Sequence, residues 1–519
     1  MVWRSLVKIY VEHIQKRHVS CIVDHITIKI GSILLIEDIK ILAEPRSNRD
    51  YLFEMNRLKG DSRKVMGTTA IILAAGKGTR MRSTVPKVLH RLAHLSLLEH
   101  VYHTAKSLPK CRVGIVYGHG GDQVMKTLSH LDTEWIEQKE QLGTGHAVKQ
   151  AMPMVSAEDT VLILYGDVPL THPSTLGSLV ESSRETGFSL LTVNLENPAG
   201  YGRIVRNAER GIEKIVEEKD ASEEIRKIRE VNTGMMAVAG HLLDEWLNRL
   251  NNDNAQGEYY LTDIVEMAVA DGIDIRSIQP VNEYEVMGVN NRFQLAELER
   301  YYQMKHAEDL MAAGVTLRDP TRIDVRGNLE VGQDIVIDIN VIFEGDVSLS
   351  NNVSIGPNTV IRNSVIADGV EILENCVIED AVIGRGTKIG PFARIRPETR
   401  LGENVHIGNF VEIKKSNVAE GSKINHLSYI GDSDIGKQVN IGAGTITCNY
   451  DGANKFRTSI GDNVFIGSDT QLVAPVTIED GATIAAGTTV TQDAPANQLT
   501  ISRTKQVSVA GWKRPQKKK

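Results

Sequence analysis

The feature that most narrows what this chain can become is a six-residue repeat in its C-terminal third. Ile383, Ile389, Ile395, Leu401, Ile407 and Ile413 stand at steps of six, as do Ile460, Ile466, Leu472, Ile478, Ile484 and Val490. Glycine often follows, as in Ile389-Gly390, Ile407-Gly408 and Ile466-Gly467. A unit this short buries its aliphatic side chain only by stacking coil on coil with small residues at the corners, so a parallel β-helix is predicted beyond about residue 319. Spacing alone leaves its hand open. The period is interrupted at Thr447–Thr458, TCNYDGANKFRT, a polar loop too long for a corner. It is either a tolerated surface loop or a carrier of function.

Upstream the texture differs. From about 67 to 290, short apolar runs at Ala70–Ala75, Val113–Tyr117 and Val161–Tyr165 alternate with helical patterns and Gly-containing turns, which predicts a doubly wound α/β domain. Residues 292–313 carry Leu295, Leu298, Tyr302 and Leu310 among charges, with no Gly or Pro before Gly314, and read as one helix bridging two domains. Residues 1–66 hold no motif; Ile26, Ile28 and Ile30 alternate like a strand. Because Met66 directly precedes the first buried-strand pattern, that segment is either an accessory element or a mis-assigned start. The divisions predicted are thus 1–66, 67–291, 292–318, 319–500 and a solvated basic tail, 501–519.

A length of 519 residues fits about three domains at roughly 150 residues each. Hydrophobic and charged fractions of 41% and 24% exclude wholesale disorder, and no apolar run reaches the roughly 18 residues of a membrane span. The net charge of −7, from 59 basic and 66 acidic residues, argues against a general nucleic-acid binder and requires any phosphate site to be built locally. Cys21, Cys111, Cys376 and Cys448 are scattered and read as reduced thiols. With no cleavable leader at the N-terminus, the cytoplasm is the expected location.

The segment Leu73-Ala-Ala-Gly-Lys-Gly-Thr-Arg-Met81 follows a predicted strand, where backbone N–H groups and a helix start can meet a phosphate chain, and Lys77, Arg80 and Lys87 add charge. Such glycines also serve purely steric needs, and the loop lacks the Gly-Lys-Ser/Thr ending of a P-loop. The extension into Pro86-Lys87 is what makes it specific. Here the chain resembles the sugar-nucleotidyltransferase family, and Gln138–Gly145 (QKEQLGTG), Tyr165-Gly-Asp167, Tyr201-Gly-Arg203, Glu217 and Asn232-Thr-Gly234 resemble that family's segments in order. With the β-helix behind it, residues 67–519 resemble the bacterial bifunctional N-acetylglucosamine-1-phosphate uridyltransferase/glucosamine-1-phosphate acetyltransferase family; residues 1–66 have no counterpart there.

Transfer of a nucleotidyl group needs alignment and charge neutralisation, hence a carboxylate for a metal. Asp167 closes an apolar strand after a Gly, a placement typical of a metal ligand and also of a turn Asp before Pro169. The resemblance implies that Asp167 and Asn290 hold Mg²⁺. It likewise implies that Leu73, Ala74, Ala75, Gly76, Gln138, Gly143 and Thr144 grip the uridine of UTP and that Tyr165 and Gly166 line the same site. By the same likeness Gly202, Glu217 and Asn232 take the acetylated sugar, and Lys77, Arg80 and Lys87 face the phosphates, with Arg80 and Lys87 catalytic.

On the solenoid, regularity is lost between Ile413 and Ile430, where Asn425-His-Leu-Ser-Tyr429 gathers hydrogen-bonding side chains. A lone His such as His426 is more often structural, but the hexapeptide acyltransferases, which this half resembles, use one such His as general base. Acyl transfer to an amine needs a base near neutrality and a preorganised donor for the oxyanion. The resemblance gives those roles to His426 and Asn449, and it gives glucosamine 1-phosphate to Arg396, Lys414, Tyr429 and Asn440. It places acetyl-CoA along Ala443, Asn449, Tyr450, Ser468, Ala486 and Arg503.

The resemblance therefore implies acetylation of glucosamine 1-phosphate, then uridylylation to UDP-N-acetylglucosamine, the precursor of peptidoglycan and lipopolysaccharide, by a left-handed β-helix joined to a Rossmann-like domain. Two rivals remain at this point: a nucleotidyltransferase of different sugar or base, and a solenoid that only assembles the protein, which would have no need of His426 or the loop Asn449–Lys455. A homotrimer is expected, because such flat ridged faces pack about a threefold axis in the proteins this half resembles and because Arg396 to Arg503 is a long spread for one small substrate.

Overall fold

The computed structural model describes residues 67–515 apart from Lys77, His119, Ala255 and Thr504. The expectations for residues 1–66, Cys21 and Met66 among them, for Lys77 and for the last four residues of the tail lie outside the described residues.

The α/β part is built on a mixed sheet. Its strands are β1 (Thr68–Leu73), β2 (Cys111–Tyr117), β3 (Glu134–Glu137), β4 (Thr160–Tyr165), β5 (Phe188–Asn194), β6 (Arg203–Arg206), β7 (Ile212–Val216), β8 (Glu230–Ala239) and β9 (Arg276–Ile278). The main order is β9-β5-β8-β4-β1-β2-β3, with the β6–β7 hairpin attached through β8. The apolar runs at 70, 113 and 161 are β1, β2 and β4, and they form the parallel centre. They are apolar throughout because both faces are covered. Leu162 and Leu164 pack with the helices Leu97–Lys106 and Pro173–Thr186, whereas Val161 and Ile163 pack with Thr144–Ala151 and Gly240–Arg249. The sheet departs from a purely parallel one at β8, which runs antiparallel between β4 and β5. The hairpin that precedes β8 returns the chain from the opposite end, so β8 has to enter reversed.

The helix Arg292–Ala312 is capped by the Asn291 side chain, which accepts from the Gln294 N–H at 3.0 Å. Its halves serve different cores. Leu298 joins Met81, Leu92 and Leu97, while Ala307 and Leu310 close the end of the solenoid core. Between them, buried Gln303 exchanges two hydrogen bonds with the Val325 backbone, at 2.7 and 3.0 Å, and so pins the first long solenoid strand.

The solenoid has three faces per coil, and every coil pairs in parallel with the next. Ile389, Ile407, Ile424, Ile441, Ile466 and Ile484 form one internal ladder along the first face. Ile395, Ile413 and Ile430 form another along the second face. The irregularity between Ile413 and Ile430 is a coil of 17 residues after one of 18, absorbed at a corner with register kept. From Ile441 to Ile466 the coil takes 25 residues, so the polar insertion adds 25 − 17 = 8 without disturbing the strands on either side.

The corner between the first and second faces is left-handed in φ on every rung. Asn340, Asn358 and Asn375 occupy it first, at φ 58 to 59°, joined by side-chain bonds of 2.9 and 3.2 Å. Asn tolerates that conformation better than other side chains. Phe392, Phe410 and Leu427 then take the same corner at φ 56°, 56° and 50°, although they are 48%, 54% and 64% exposed. The two phenyl rings stack at 5.3 Å. Three apolar side chains in a conformation that suits Asn or Gly, facing solvent, form an apolar patch that folding of one chain does not require.

Candidate active sites

The first site lies at the carboxyl ends of β1 and β4, where parallel strands leave a crevice. After β1 the chain is held open by Ala74 N–H donating to the Val116 carbonyl (2.8 Å) and Gly166 N–H to the Leu73 carbonyl (3.0 Å). The result is a cavity of about 440 Å³. Leu73, Ala74, Ala75 and Gly76 form one wall and Gln138, Gly143 and Thr144 another, with Lys87, Tyr165 and Asp167 at the remaining edge. Gln141 and Glu258 also line it. Gln141 falls inside the Gln138–Gly145 segment, but Glu258 carried no signal in the sequence, because it reaches the wall through contacts 114 and 117 residues apart: Gly145 N–H donates to the Tyr259 carbonyl and Tyr259 N–H to that of Leu142, both at 2.8 Å. Gly143 is required there, since its φ is 111° and a Cβ would stand 2.6 Å from the Tyr259 oxygen.

At one edge charge is concentrated. Lys87 Nζ forms an ion pair with the Asp167 carboxylate, both largely buried, and lies 3.3 Å from Asn290 Oδ1. Arg80 donates to the same Asn290 oxygen at 2.8 Å, and Val289 N–H to the Asp167 carbonyl, also at 2.8 Å, holds the two segments together. Two hard oxygen donors thus converge on one ammonium, a donor set that suits Mg²⁺ when phosphates supply the remaining ligands. Among the described residues no group of three His, Cys, Asp or Glu side chains could hold a metal unaided.

Gly202, Glu217 and Asn232 gather beside this cavity rather than in its wall. Asn232 N–H donates to the Gly202 carbonyl at 2.9 Å, and a Cβ on Gly202 would come within 3.4 Å of the Glu217 carboxylate. Tyr165 separates the two groups: burial, with the Asp167 and Glu217 charges behind it, drives its phenol well above the ordinary value. Burial likewise raises the Glu217 carboxyl, helped by Asp220 and Asp263. Gly234, at φ 84°, leaves room for the Tyr165 ring, which a Cβ would approach to 2.5 Å.

The second site is spread over two edges of the solenoid's second face. At the far edge Arg396, Lys414, Gly431 and Cys448-Asn449 succeed one another rung by rung. Arg396 donates to Glu412 at 2.7 Å, and the Lys414 ammonium is held below its ordinary value first by neighbouring Lys455, then by burial, with Arg396 adding to the repulsion. Three cations are thus crowded together at this edge, a concentration of positive charge that would favour an anion. Lys455 belongs to the insertion, which folds back on itself through a Tyr450–Lys455 bridge. Buried Asn449 donates to Asp432 at 2.5 Å.

At the near edge runs a column whose members are far apart in sequence. Asn409 is in register with His426, and the next rungs bring Ala443, Ser468 and Ala486, whose carbonyls accept from Asp469, Gly487 and the Arg503 guanidinium at 2.7 to 2.8 Å. Exposed His426 places Nδ1 2.8 Å from Asn409 Oδ1. An amide oxygen only accepts, so Nδ1 carries the proton and Nε2 keeps a free lone pair. Asn409 is a positioning residue that its sequence context, an ordinary solenoid corner, did not disclose. Tyr429 starts the second face, and its hydroxyl lies 2.5 Å from where a Cβ of Gly431 would be, with Asn449 Nδ2 2.9 Å from that same point. Tyr429 therefore spans the face from the His426 edge to the cationic edge. Asn440 stands on the first face, opposite Lys423, and Asn449 is tied to Asp432, one face away from His426. Within one chain these two are not gathered around His426.

The spread from Arg396 to Arg503 shrinks accordingly. It covers six rung-to-rung steps, or about 29 Å at about 4.8 Å per step, with the cations toward one end and the column toward the other.

Comparison with known proteins adds to this geometry. The MobA-like NTP transferase domain family matches residues 70–239. The GMPPB C-terminal domain family matches 325–403, and six bacterial transferase hexapeptide repeats match 457–492. The solenoid is thus the left-handed parallel β-helix of hexapeptide proteins. The bifunctional protein GlmU of Methylococcus capsulatus is 59% identical over 453 residues, covering 87% of this chain and 98% of that protein. That of Marinobacter nauticus is 56% identical over 86% of this chain and 98% of its own length. The Acinetobacter baumannii protein of the same name is 55% identical, with 88% and 100% covered.

Proposed function

Since the chain belongs to the family of bifunctional GlmU proteins, we propose that each half works with the side chains assembled above. It is a transferase of two activities: acetyl transfer from acetyl-CoA to glucosamine 1-phosphate, and uridylyl transfer from UTP to the N-acetylglucosamine 1-phosphate so formed, with release of pyrophosphate.

In the first site the cavity walls receive uridine, with Gly143 and Thr144 opposite the Leu73–Gly76 loop. Gly202, Glu217 and Asn232 hold the acetylated sugar, whose phosphate attacks the α-phosphorus from the Tyr165 side. Asp167 and Asn290 would hold Mg²⁺, which supplies neutralisation of the phosphate charge. Arg80 and Lys87 are the residues that follow the charge onto the leaving pyrophosphate. The observation that carries this reading is the convergence of Asp167, Asn290, Lys87 and Arg80 at the edge of a nucleotide-sized cavity.

In the second site Arg396, Lys414 and Lys455 bind the sugar phosphate and Tyr429 spans the sugar. His426 Nε2 takes the proton from the attacking amine as the C–N bond forms, and the coenzyme A thiolate leaves when the tetrahedral intermediate collapses. Acetyl-CoA lies along Ala443, Ser468, Ala486 and Arg503, beside Tyr450. The protein acts as a homotrimer: the Phe392, Phe410 and Leu427 edge supplies an apolar contact, and neighbouring chains bring Asn440 and Asn449 of one copy to His426 of another. The cytoplasm, where these substrates are made, is its place of action; no helix among the described residues is long and apolar enough to cross a membrane.

The test is to supply glucosamine 1-phosphate and acetyl-CoA with and without UTP and Mg²⁺ and to follow both products. Asp167→Ala is expected to abolish UDP-N-acetylglucosamine while acetylation stays near wild type, because the metal-holding carboxylate and the acyl site belong to separate cores. Equal loss of acetylation in a folded variant contradicts the two-site reading.

A further inference from the structure

Gln138, in the cavity wall, does not stand alone. Its amide Nε2 donates to the Gly143 carbonyl at 3.1 Å and to His146 Nδ1 at 3.1 Å. A carbonyl oxygen accepts only, so the Gln138 amide must turn its NH₂ toward Gly143. Both of its N–H groups are then used inside the protein, and Oε1 is the one group left for a ligand.

The second of those bonds requires His146 Nδ1 to be a bare lone pair, with the ring proton on Nε2. Gln150 lies on that side, with an amide terminus 3.2 Å from Nε2. A neutral imidazole cannot accept from two amides at once. Gln138 is pinned by the Gly143 carbonyl at 3.1 Å, whereas the Gln150 amide has only a long 3.5 Å contact to the His146 carbonyl, so Gln150 is the one that gives up that contact, turns its oxygen to the ring and accepts from Nε2–H. The ring is held further by Tyr259, whose plane is tilted 33° to it at 6.5 Å, and Tyr259 is itself fixed to the 142–145 loop by its two backbone bonds. The chain Gln150–His146–Gln138 has one consistent arrangement of protons.

We propose that His146 is the positioning residue that sets base specificity: its Nδ1 lone pair holds Gln138 so that only a carbonyl oxygen faces the base, selecting uracil, with a donor at N3, over cytosine, with an acceptor there. This rests on the reading of the cavity as the uridine pocket. A site built to accept one hydrogen bond rejects a base that offers a lone pair in its place, because two acceptors are left facing each other.

The experiment measures kcat/KM for UTP and for CTP, with N-acetylglucosamine 1-phosphate, in the wild type and in His146→Asn, His146→Gln and His146→Ala. Asn puts an oxygen where Nδ1 was, whereas Gln puts its polar end where Nε2 was. His146→Asn is expected to keep the UTP:CTP preference within about threefold, and His146→Gln and His146→Ala to lower it at least tenfold, mainly through KM for UTP. Acetyl transfer by the same preparations reports only that the solenoid is intact; kcat for UTP at saturation, kept within a few-fold of wild type, reports that the α/β part is folded. An unchanged preference in His146→Ala or in His146→Gln overturns the proposal, and so does an equal loss in His146→Asn, which would mark a packing role. Should His146→Ala not fold, the Asn and Gln variants carry the comparison. A wild type that does not use UTP at all would instead overturn the pocket's assignment, a separate outcome.

Discussion

At single side chains, function depends on which lone pair or charge is left after the protein's own bonds are made. His426 donates its Nδ1–H to the Asn409 side-chain oxygen and is left with the Nε2 lone pair in the open. His426→Ala is expected to lower acetyl transfer by about 100-fold to 10,000-fold, the usual worth of a general base, and to spare uridylyl transfer from supplied N-acetylglucosamine 1-phosphate. The deficit should narrow at high pH, where the amine is already deprotonated; full activity at neutral pH would return His426 to a structural role. Cysteines follow the same logic of surroundings. Burial pushes the Cys111 and Cys376 thiols up to about 11, so these two are packing residues and not nucleophiles.

At the scale of elements, the insertion is shorter than the break in the repeat, Thr447–Thr458, because Thr447, Cys448 and Thr458 are strand residues of the ladder; only residues 449–457 are set apart from the scaffold that carries them. Cys448 pairs onward with Val473, and Thr458 with Ser433, so the rungs close around the loop whether or not it is there. Replacing Tyr450–Phe456 by a short turn should therefore remove Lys455 and the acetyl-CoA contact of Tyr450 and cut acetyl transfer at least a hundredfold. Far-ultraviolet circular dichroism and uridylyl transfer should be unchanged. Retained acetylation would show the loop to be ornamental. The helix Arg292–Ala312 shows how far an element can be read from its residues: the absence of Gly and Pro marks its length, but that Leu298 serves one core and Leu310 another depends on what lies on either side.

At the scale of the whole molecule the question is what covers Phe392, Phe410 and Leu427. If the trimer forms there, Phe392→Glu with Phe410→Glu should give a monomer by sedimentation that keeps uridylyl transfer, whose residues all lie within one α/β part, and loses acetyl transfer. A monomer that acetylates at the wild-type rate would show that one chain completes the acyl site. Either result also decides how Asn440 and Asn449 take part, since in a single chain they stand away from His426.

The repeat of six, the buried-strand runs and the loop Leu73–Met81 determined the two kinds of scaffold from sequence alone, because periodic burial and turn chemistry are local properties. Local rules also marked Asp167 at a strand end and His426 in a cluster of polar residues. What they could not reach was set by return of the chain. Only the stacking of coils made Asn409 the partner of His426 and lined Ala443, Ser468 and Ala486 into one column, since 17 to 25 residues of sequence separate neighbours one rung apart. Only the closing of the α/β part brought Glu258 and Tyr259 against Gly143, Asn290 against Lys87, and β8 antiparallel into the centre of the sheet. A hydrogen bond acts over about 3 Å, and which groups come that close is decided by the path of the whole chain.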